Sequence, residues 1–573
     1  MPGSARPVVG TGRQEKRAKM KVSAASGLAR ILKAEGVSWV STFPVCCVNN
    51  ALGQEGVPIL MMRDERYAVA VADAFSRVTG GKRIGVCTVM GGTNPAGLHM
   101  AYGALAQAFE DSSPVLCISD GVPADARGRK HYDVTSSFRE VTKWIGQIEQ
   151  PQRVPEFMRR AFTHLRTGRP GPVLITLPRY LGEYDEDAYP YTPVKGWKWA
   201  PDPDDVRAAI KALLAAKRPL LYVGEGVYYG DATDELLEFV ELAQVPVLTT
   251  LKAKSAFPEN HRLSVGVRGE LAASSLHRCD LLFAIGTSLS LGHFRQAVPD
   301  AKDKTIVQCT VDTLDINKSY RVDHAVIGDA KLTLQALIDD LSSRTGGGVR
   351  EKHVLIGEIR AAKERFLAKY RPLIESDDVP INPYRVYGDL MKTIDRSNSF
   401  VTHDSGNTRD QMSTVYEAII PRGFMGWGNV TTLGFGLAAA MAAKLAYPER
   451  QCVNVTGDAG VGYMIGNFEA LVRHQIGVTT IHINNGGFGG YGPGFWGAGH
   501  DPYTCEVSDH SVADMSQAVK AMGYYAEDIT QPSEIIPALR RAFHENARNR
   551  PAYLEFICSQ YPVFGRWVTE ARR

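Results

Sequence analysis

Two short polar runs, each closing an apolar stretch near the C-terminus, constrain the fold of this chain most. Residues 452–456 run into Gly457-Asp458-Ala459-Gly460, and residues 478–483 run into Asn484-Asn485-Gly486-Gly487. A helix-forming stretch, 467–474, lies between them, and the interval from Asp458 to Asn484 is 26 residues. Strand, helix, strand over that interval places both polar runs at the carboxyl ends of parallel strands, where open α/β sheets bind ligands. Asp458 offers a carboxylate, Asn485 an amide oxygen and Gly487 a backbone carbonyl, hard donors suited to an octahedral Mg²⁺ that keeps phosphate oxygens and water. The backbone amides of Ala459 and Gly460, at a helix start, suit a phosphate group. Taken singly, either run is also an ordinary turn.

The rest of the chain repeats this alternation. A helical pattern over 24–34 leads to a short strand at 39–42, and apolar runs then alternate with helices as far as 173–177. Residues 183–203, rich in Pro, Tyr, Asp and Trp and without periodicity, read as an extended linker. Strand patterns at 219–224, 245–250, 281–285 and 305–310 form a second unit, closed by the glycine-bearing stretch 342–350. A charged helix over 351–370 leads to a third unit with strands at 399–402, 452–456, 478–484 and 552–557. The expectation is α/β: three doubly wound domains with mainly parallel sheets, over 22–190, 205–342 and 376–565, behind a disordered tail at 1–21.

Length and composition agree with several separate cores: 573 residues, 44% hydrophobic and 22% charged. The net charge is only +3, and the basic residues are scattered apart from Arg13, Lys16, Arg17, Lys19 and Lys21, which argues against a nucleic-acid groove. No apolar run approaches the ~18 to 20 residues of a membrane span, and none follows the basic cluster as a signal segment would require. The nine cysteines show no CxxC pairing and several sit in apolar runs, so they read as reduced thiols of a cytoplasmic protein, neither a disulfide framework nor a zinc site.

The pair Gly457-Asp458-Ala459 and Asn484-Asn485 resembles the diphosphate motif of thiamine diphosphate enzymes, with Ala459 in place of the usual glycine. The resemblance extends over nearly the whole chain to the acetolactate synthase-like family and its pyrimidine-binding, central and diphosphate-binding domains. It implies thiamine diphosphate with Mg²⁺ on Asp458, Asn485 and Gly487, next to Gly457, Ala459 and Gly460. The segment 63–68, Arg-Asp-Glu-Arg-Tyr-Ala, is similar to the family's His-Glu-Gln segment, which makes Glu65 the matching catalytic carboxylate. Its hydrogen bond to the aminopyrimidine ring favours the imino tautomer that deprotonates the thiazolium carbon. Without the motif downstream, Glu65 would read as a solvated surface charge. Leu433, in the segment 428–436, matches the apolar wedge that bends the cofactor. Residues 167–173 resemble a family signature of no chemical role.

The family assembles its sites between subunits, which implies a homodimer or homotetramer acting on a small-molecule substrate, without nucleic acid or membrane. Residues 404–410 and 484–488 are closer to the oxalyl-CoA decarboxylase and 2-hydroxyacyl-CoA lyase branch, and make a 2-hydroxyacyl-CoA lyase the first expectation. Gly489 replaces the tyrosine that oxalyl-CoA decarboxylases carry. An acetolactate synthase-like enzyme or 2-oxo acid decarboxylase is the alternative, and a non-catalytic protein retaining the fold is the reading from another class. FAD is not expected, because 286–295 replaces the Arg-Phe-Asp-Asp-Arg-like stretch of flavin-bearing relatives. Cys46 and Cys47, in the loop after the first strand, and Tyr491, Phe495, Trp496 and His500, after the Asn-Asn segment, are candidate substrate-facing positions, with packing and a mobile lid as their plainer readings.

Overall fold

Continuous apolar runs, as opposed to alternating ones, mark strands covered on both faces. The computed structural model describes residues 21–126, 134–292, 294–348, 353–487, 514–561 and 563–569. In it these runs build three six-stranded sheets. The first contains β1 (Val40–Thr42), β2 (Ile59–Met61), β3 (Gly85–Val89), β4 (Val115–Asp120), β5 (Trp144–Gln147) and β6 (Val173–Leu177), in the order β2-β1-β3-β4-β6-β5. The second contains β7 (Pro219–Val223), β8 (Val247–Thr249), β9 (Ser264–Gly266), β10 (Leu281–Ile285), β11 (Thr305–Thr310) and β12 (His324–Ile327), ordered β9-β8-β7-β10-β11-β12. The third contains β13 (Ser399–His403), β14 (Phe424–Met425), β15 (Gln451–Gly457), β16 (Thr479–Asn484), β17 (Tyr525–Ile529) and β18 (Ala552–Ile557), ordered β14-β13-β15-β16-β18-β17. Every pairing inside these sheets is parallel. Three α/β units with parallel sheets flanked by helices is the architecture the sequence predicts.

The differences lie at the edges. The sequence reading omits β9, β12, β14 and β17, which are short or carry polar residues, such as Glu527 and Asp528 in β17. Within the stretch read as linker, Glu183–Asp185 pairs antiparallel with Lys21–Ser23, so a two-stranded ribbon ties the start of the first unit to its end. Tyr184 packs from that ribbon onto Gly27, where any Cβ would overlap the tyrosine ring. Apart from Lys21, the expected tail lies outside the described residues. No helix among the described residues is long and apolar enough to cross a membrane.

The first and third sheets share one strand order, while the central sheet has the 3-2-1-4-5-6 order of dinucleotide-binding folds. Two helices in equivalent topological positions join the outer units: α1 (Glu65–Val78), which follows β2, and α3 (Phe435–Ala446), which follows β14. Both are dense in buried alanine, and together with Trp39, Phe75, Trp427 and Phe468 they form one apolar core. Arg77 is buried at this junction, bonded to Asp73 at 2.6 and 2.7 Å and to Asp111 at 2.6 Å, with Phe435 stacked beneath its guanidinium. Two carboxylates around one buried cation satisfy its donors in the fork geometry arginine prefers.

Helix α1 also lies directly on β3, where a Cβ on Gly85 would overlap the Ala72 carbonyl oxygen. Gly85→Ala is therefore expected to destabilise the protein by ~1–3 kcal/mol through overpacking, lowering the first thermal transition by several degrees. Calorimetric scanning checks this, and an unchanged midpoint would show that helix and strand can separate freely.

Candidate functional site

Strands β15 and β16 are neighbours, with Gly457 in register with Ile483. Their carboxyl ends therefore bring the two polar runs side by side. Asp458 is the first residue of helix α4 (Asp458–Arg473) and is buried. Gly457 caps that helix without a side chain, so the first-turn amides, those of Ala459 and Gly460 among them, meet no side-chain oxygen from the cap. Gly460 serves a second purpose: a Cβ there would overlap Thr456 Oγ1 and stand 2.9 Å from Asp404 Cγ.

The two oxygens of Asp458 face different partners. Oδ1 lies 3.2 Å from His482 Nε2, and His482 Nδ1 lies 2.7 Å from the Tyr553 hydroxyl. His482 thus bridges Asp458 and Tyr553 in one buried chain of polar contacts, with the Glu555 carboxylate 3.6 Å from Nδ1. Oδ2 accepts from the Asn485 backbone N–H at 3.4 Å. The Asn485 side chain turns one terminal amide atom toward both Asp458 Oδ2 and the Gly487 carbonyl, 3.0 Å from each. With nitrogen in that place the amide donates to both; with oxygen there, three acceptors converge.

Leu433 lies in the turn before α3, held from two sides. The Asp404 carboxylate accepts from Gly434 N at 3.1 Å and Gly436 N at 3.2 Å, gripping the turn and the helix start. Burial raises the Asp404 carboxyl to about 6, against the lowering effect of these backbone donors. Thr432 N donates to Gln107 of α2 (Ala96–Glu110) at 3.3 Å.

Glu65 is the first residue of α1, 7% exposed, and its Oε1 lies so near Gly97 of α2 that a Cβ there would come within 2.7 Å. The loop before it is clamped to α4. Asn467 accepts from Arg63 N at 2.9 Å and donates to Asp64 at 2.9 Å, while His474 Nε2 accepts from Met61 N at 3.0 Å. Arg66 reaches the carbonyls of Leu433 at 3.4 Å and Tyr463 at 2.9 Å. The structure thus gathers Asp458, Asn485 and Gly487 into one polar cluster and fixes Glu65 and Leu433 at the junction of the outer units. Asn467 stands nine positions beyond Asp458 on α4, about 13 Å along its axis.

A cavity of about 490 Å³ opens in the central unit. It lies at the carboxyl ends of β7 and β10, where the strand order reverses, the usual ligand crevice of such sheets. Gly224, Gly226 and Gly286 meet there: a Cβ on Gly226 would stand 2.7 Å from the Gly286 Cα. The cavity continues to Trp427, Gly428 and Asn429, a few residues before Leu433. Arg295 bonds Asn429 at 3.0 Å, and Gly168, Arg169 and Pro170 of the 167–173 segment also line the cavity.

Sequence reasoning missed His482, Tyr553, Asn467 and Asp404. For His482 a signal exists, an imidazole inside the apolar run Ile481-His482-Ile483. Tyr491, Phe495, Trp496 and His500 lie outside the described residues.

Models of the thiamine pyrophosphate enzyme family match the chain in three stretches: the N-terminal TPP binding domain over residues 22–141, the central domain over 206–337 and the C-terminal TPP binding domain over 404–556. The chain is 31% identical over 559 residues to a probable acetolactate synthase large subunit of Methanocaldococcus jannaschii, covering 93% of this chain and 91% of that protein. It is 26% identical to the acetolactate synthase isozyme 3 large subunit of Escherichia coli K12, over 93% of this chain and 94% of that one. Glyoxylate carboligase of Escherichia coli O157:H7 is 28% identical over 81% of this chain and 79% of its own.

Asp458→Ala and Asn485→Ala are each expected to weaken binding of thiamine diphosphate with Mg²⁺ by at least about tenfold in titration calorimetry, because each removes an oxygen from the cluster. Unaltered binding in both variants would remove these residues from the site.

Proposed function

The chain belongs to the thiamine pyrophosphate-dependent, acetolactate synthase-like enzymes, and on that premise we propose that it is a carboligase acting on a 2-oxo acid, with Mg²⁺ held by Asp458, Asn485 and Gly487. Thiamine diphosphate, when bound, supplies the acyl-anion equivalent that such chemistry needs.

The observation that carries the metal reading is the spacing of three atoms. Metal–oxygen bonds of about 2.0–2.1 Å at right angles put neighbouring ligands of an octahedral Mg²⁺ roughly 3.0 Å apart. The Asn485 terminal atom stands 3.0 Å from Asp458 Oδ2 and 3.0 Å from Gly487 O. His482 holds the other Asp458 oxygen, which leaves Oδ2 for the ion and orients it. The uncapped amides of Ala459 and Gly460, at the positive end of α4, suit the diphosphate. Leu433, on a turn gripped by Asp404, would be the apolar wedge against the cofactor when bound. Glu65, buried at the start of α1, would be the carboxylate that hydrogen-bonds its aminopyrimidine ring.

A second copy of the chain would complete the assembly, as a homodimer or a pair of dimers. Exposed apolar side chains on α2, whose Gly97 lies beside Glu65, support this: Tyr102 and Phe109, seven residues apart and so on one face, are 37 and 39% exposed. Large apolar side chains paired on one helix face suit burial against another subunit.

The central cavity favours a second reading, a 2-hydroxyacyl-CoA lyase. A nucleotide-sized crevice with a glycine cradle, running toward Leu433, could hold a CoA thioester with its acyl end near the cofactor. Within the segment 404–410, Asp404 grips the Leu433 turn and Asp410 pairs with Arg268 at 2.6 Å and Arg409 at 3.1 Å. No obligatory FAD is proposed.

Two measurements test these roles. Glu65→Gln should bind cofactor normally by calorimetry yet lose roughly 100- to 10,000-fold of the catalysed hydrogen exchange at the thiazolium carbon, followed by NMR; wild-type exchange would contradict the assignment. In parallel assays, pyruvate should be converted to acetolactate without CoA. Turnover of a short 2-hydroxyacyl-CoA, with pyruvate inert, would replace the first reading by the second.

A further inference from the structure

The loop after β1 places two adjacent thiols, Cys46 and Cys47, against Asp120 at the end of β4. One ligand atom from each of the three residues lies within 4.8 Å of the others. The loop is pinned in this arrangement. Asn49 donates to Thr42 Oγ1 at 3.1 Å and to the Pro44 carbonyl at 3.2 Å, and Thr88 donates to Asn49 Oδ1 at 2.8 Å. At the other side, Gly92 N holds the Asp120 carbonyl at 2.8 Å and Gly121 N holds the Leu177 carbonyl at 2.7 Å.

The polar atoms here are incompletely matched. Asp120 is 6% exposed; its Oδ1 accepts from Cys47 N at 2.8 Å, while its Oδ2 is buried with no hydrogen-bond donor among the described residues. The nearest cation, Arg179, stands 3.7 Å from Oδ2 on a side chain 52% exposed. A buried carboxylate oxygen without a donor is costly, and its one cationic neighbour lies on a half-exposed arginine, so the cluster has room for a further positive charge. Cys46 Sγ lies 3.9 Å from the Ile118 carbonyl and Cys47 Sγ 3.7 Å from the Leu177 carbonyl, and the Cys47 thiol also interacts with Cys46 and Asp120. Two sulfurs and one carboxylate oxygen are a donor set for a borderline-soft ion, unlike the all-oxygen set at Asp458.

We propose that Cys46, Cys47 and Asp120 bind one thiophilic divalent cation of the Zn²⁺ class, with three protein ligands and a fourth position open. The ion releases the thiol protons to solvent on binding and ties the loop after β1 to β4, on the same sheet edge from which α1 and Glu65 depart.

The test uses the full-length protein, stripped with chelator under reducing conditions and titrated with Cd²⁺. One equivalent per chain should produce a sulfur-to-metal charge-transfer band in the ultraviolet, displaced by Zn²⁺ and not by Mg²⁺. The band should vanish in the Cys46→Ser, Cys47→Ser double variant. In Asp120→Asn it should saturate at a Cd²⁺ concentration about tenfold higher or more. In Asp458→Ala it should be unchanged, which separates this site from the Mg²⁺ reading. A band that persists in the double serine variant, or that shows no saturation at one equivalent, overturns the proposal. Should the serine variant fail to fold, wild-type protein decides: Zn²⁺ should protect Cys46 and Cys47 from N-ethylmaleimide in peptide mapping, and equal labelling with and without Zn²⁺, or recovery of the pair as a disulfide, overturns it.

Discussion

Helices α1 and α3 lie against each other along faces made largely of alanine, and the placement of the functional groups follows from that contact. Alanine at Ala68, Ala70, Ala74, Ala438, Ala439 and Ala442 lets two backbones approach closely while Phe75, Phe435 and Trp427 fill the flanks. Larger side chains would push the helices apart, and interiors packed this densely do not yield by small amounts. Because Glu65 begins one helix and Leu433 stands one residue before the Gly434 cap of the other, their separation is set by the packing of side chains along both helices. Arg77 reinforces the arrangement: a guanidinium buried between Asp73 and Asp111 tolerates no displacement that would strip it of either partner.

The strands that lie in the middle of each sheet are legible in the sequence because burial on both faces demands unbroken apolar runs. β10 falls where such a run occurs, and β11 and β18 keep most of one around Gln308 and Glu555, whereas β14 is two residues long and β17 carries Glu527 and Asp528 in succession, so neither leaves that signature. The pairing of Asp458 with Asn485 is legible for a related reason: one βαβ step fixes which strand ends become neighbours. What surrounds them is not. His482, Tyr553 and Asn467 act through contacts between residues far apart in the chain, and a single imidazole in an apolar run does not announce its partner. The central cavity depends on strand order, a property of the assembled sheet that no local pattern encodes.

The outer units share one topology and meet through equivalent helices, yet their strand ends carry different chemistry. The third unit gathers oxygens at β15 and β16; the first gathers sulfur and a carboxylate at β1 and β4, with Glu65 starting the helix after β2. Similar scaffolds thus present different donor atoms because the residues just beyond their strands differ.

The amide of Asn485 has two faces of nearly the same shape and opposite polarity. Turned one way, it donates to Asp458 and to the Gly487 carbonyl. Turned the other way, it sets a third oxygen beside theirs, the arrangement that the proposed Mg²⁺ would require. Half a revolution about one bond separates these arrangements, without any movement of the backbone. The proposed ion would thus come and go with the turn of one side chain.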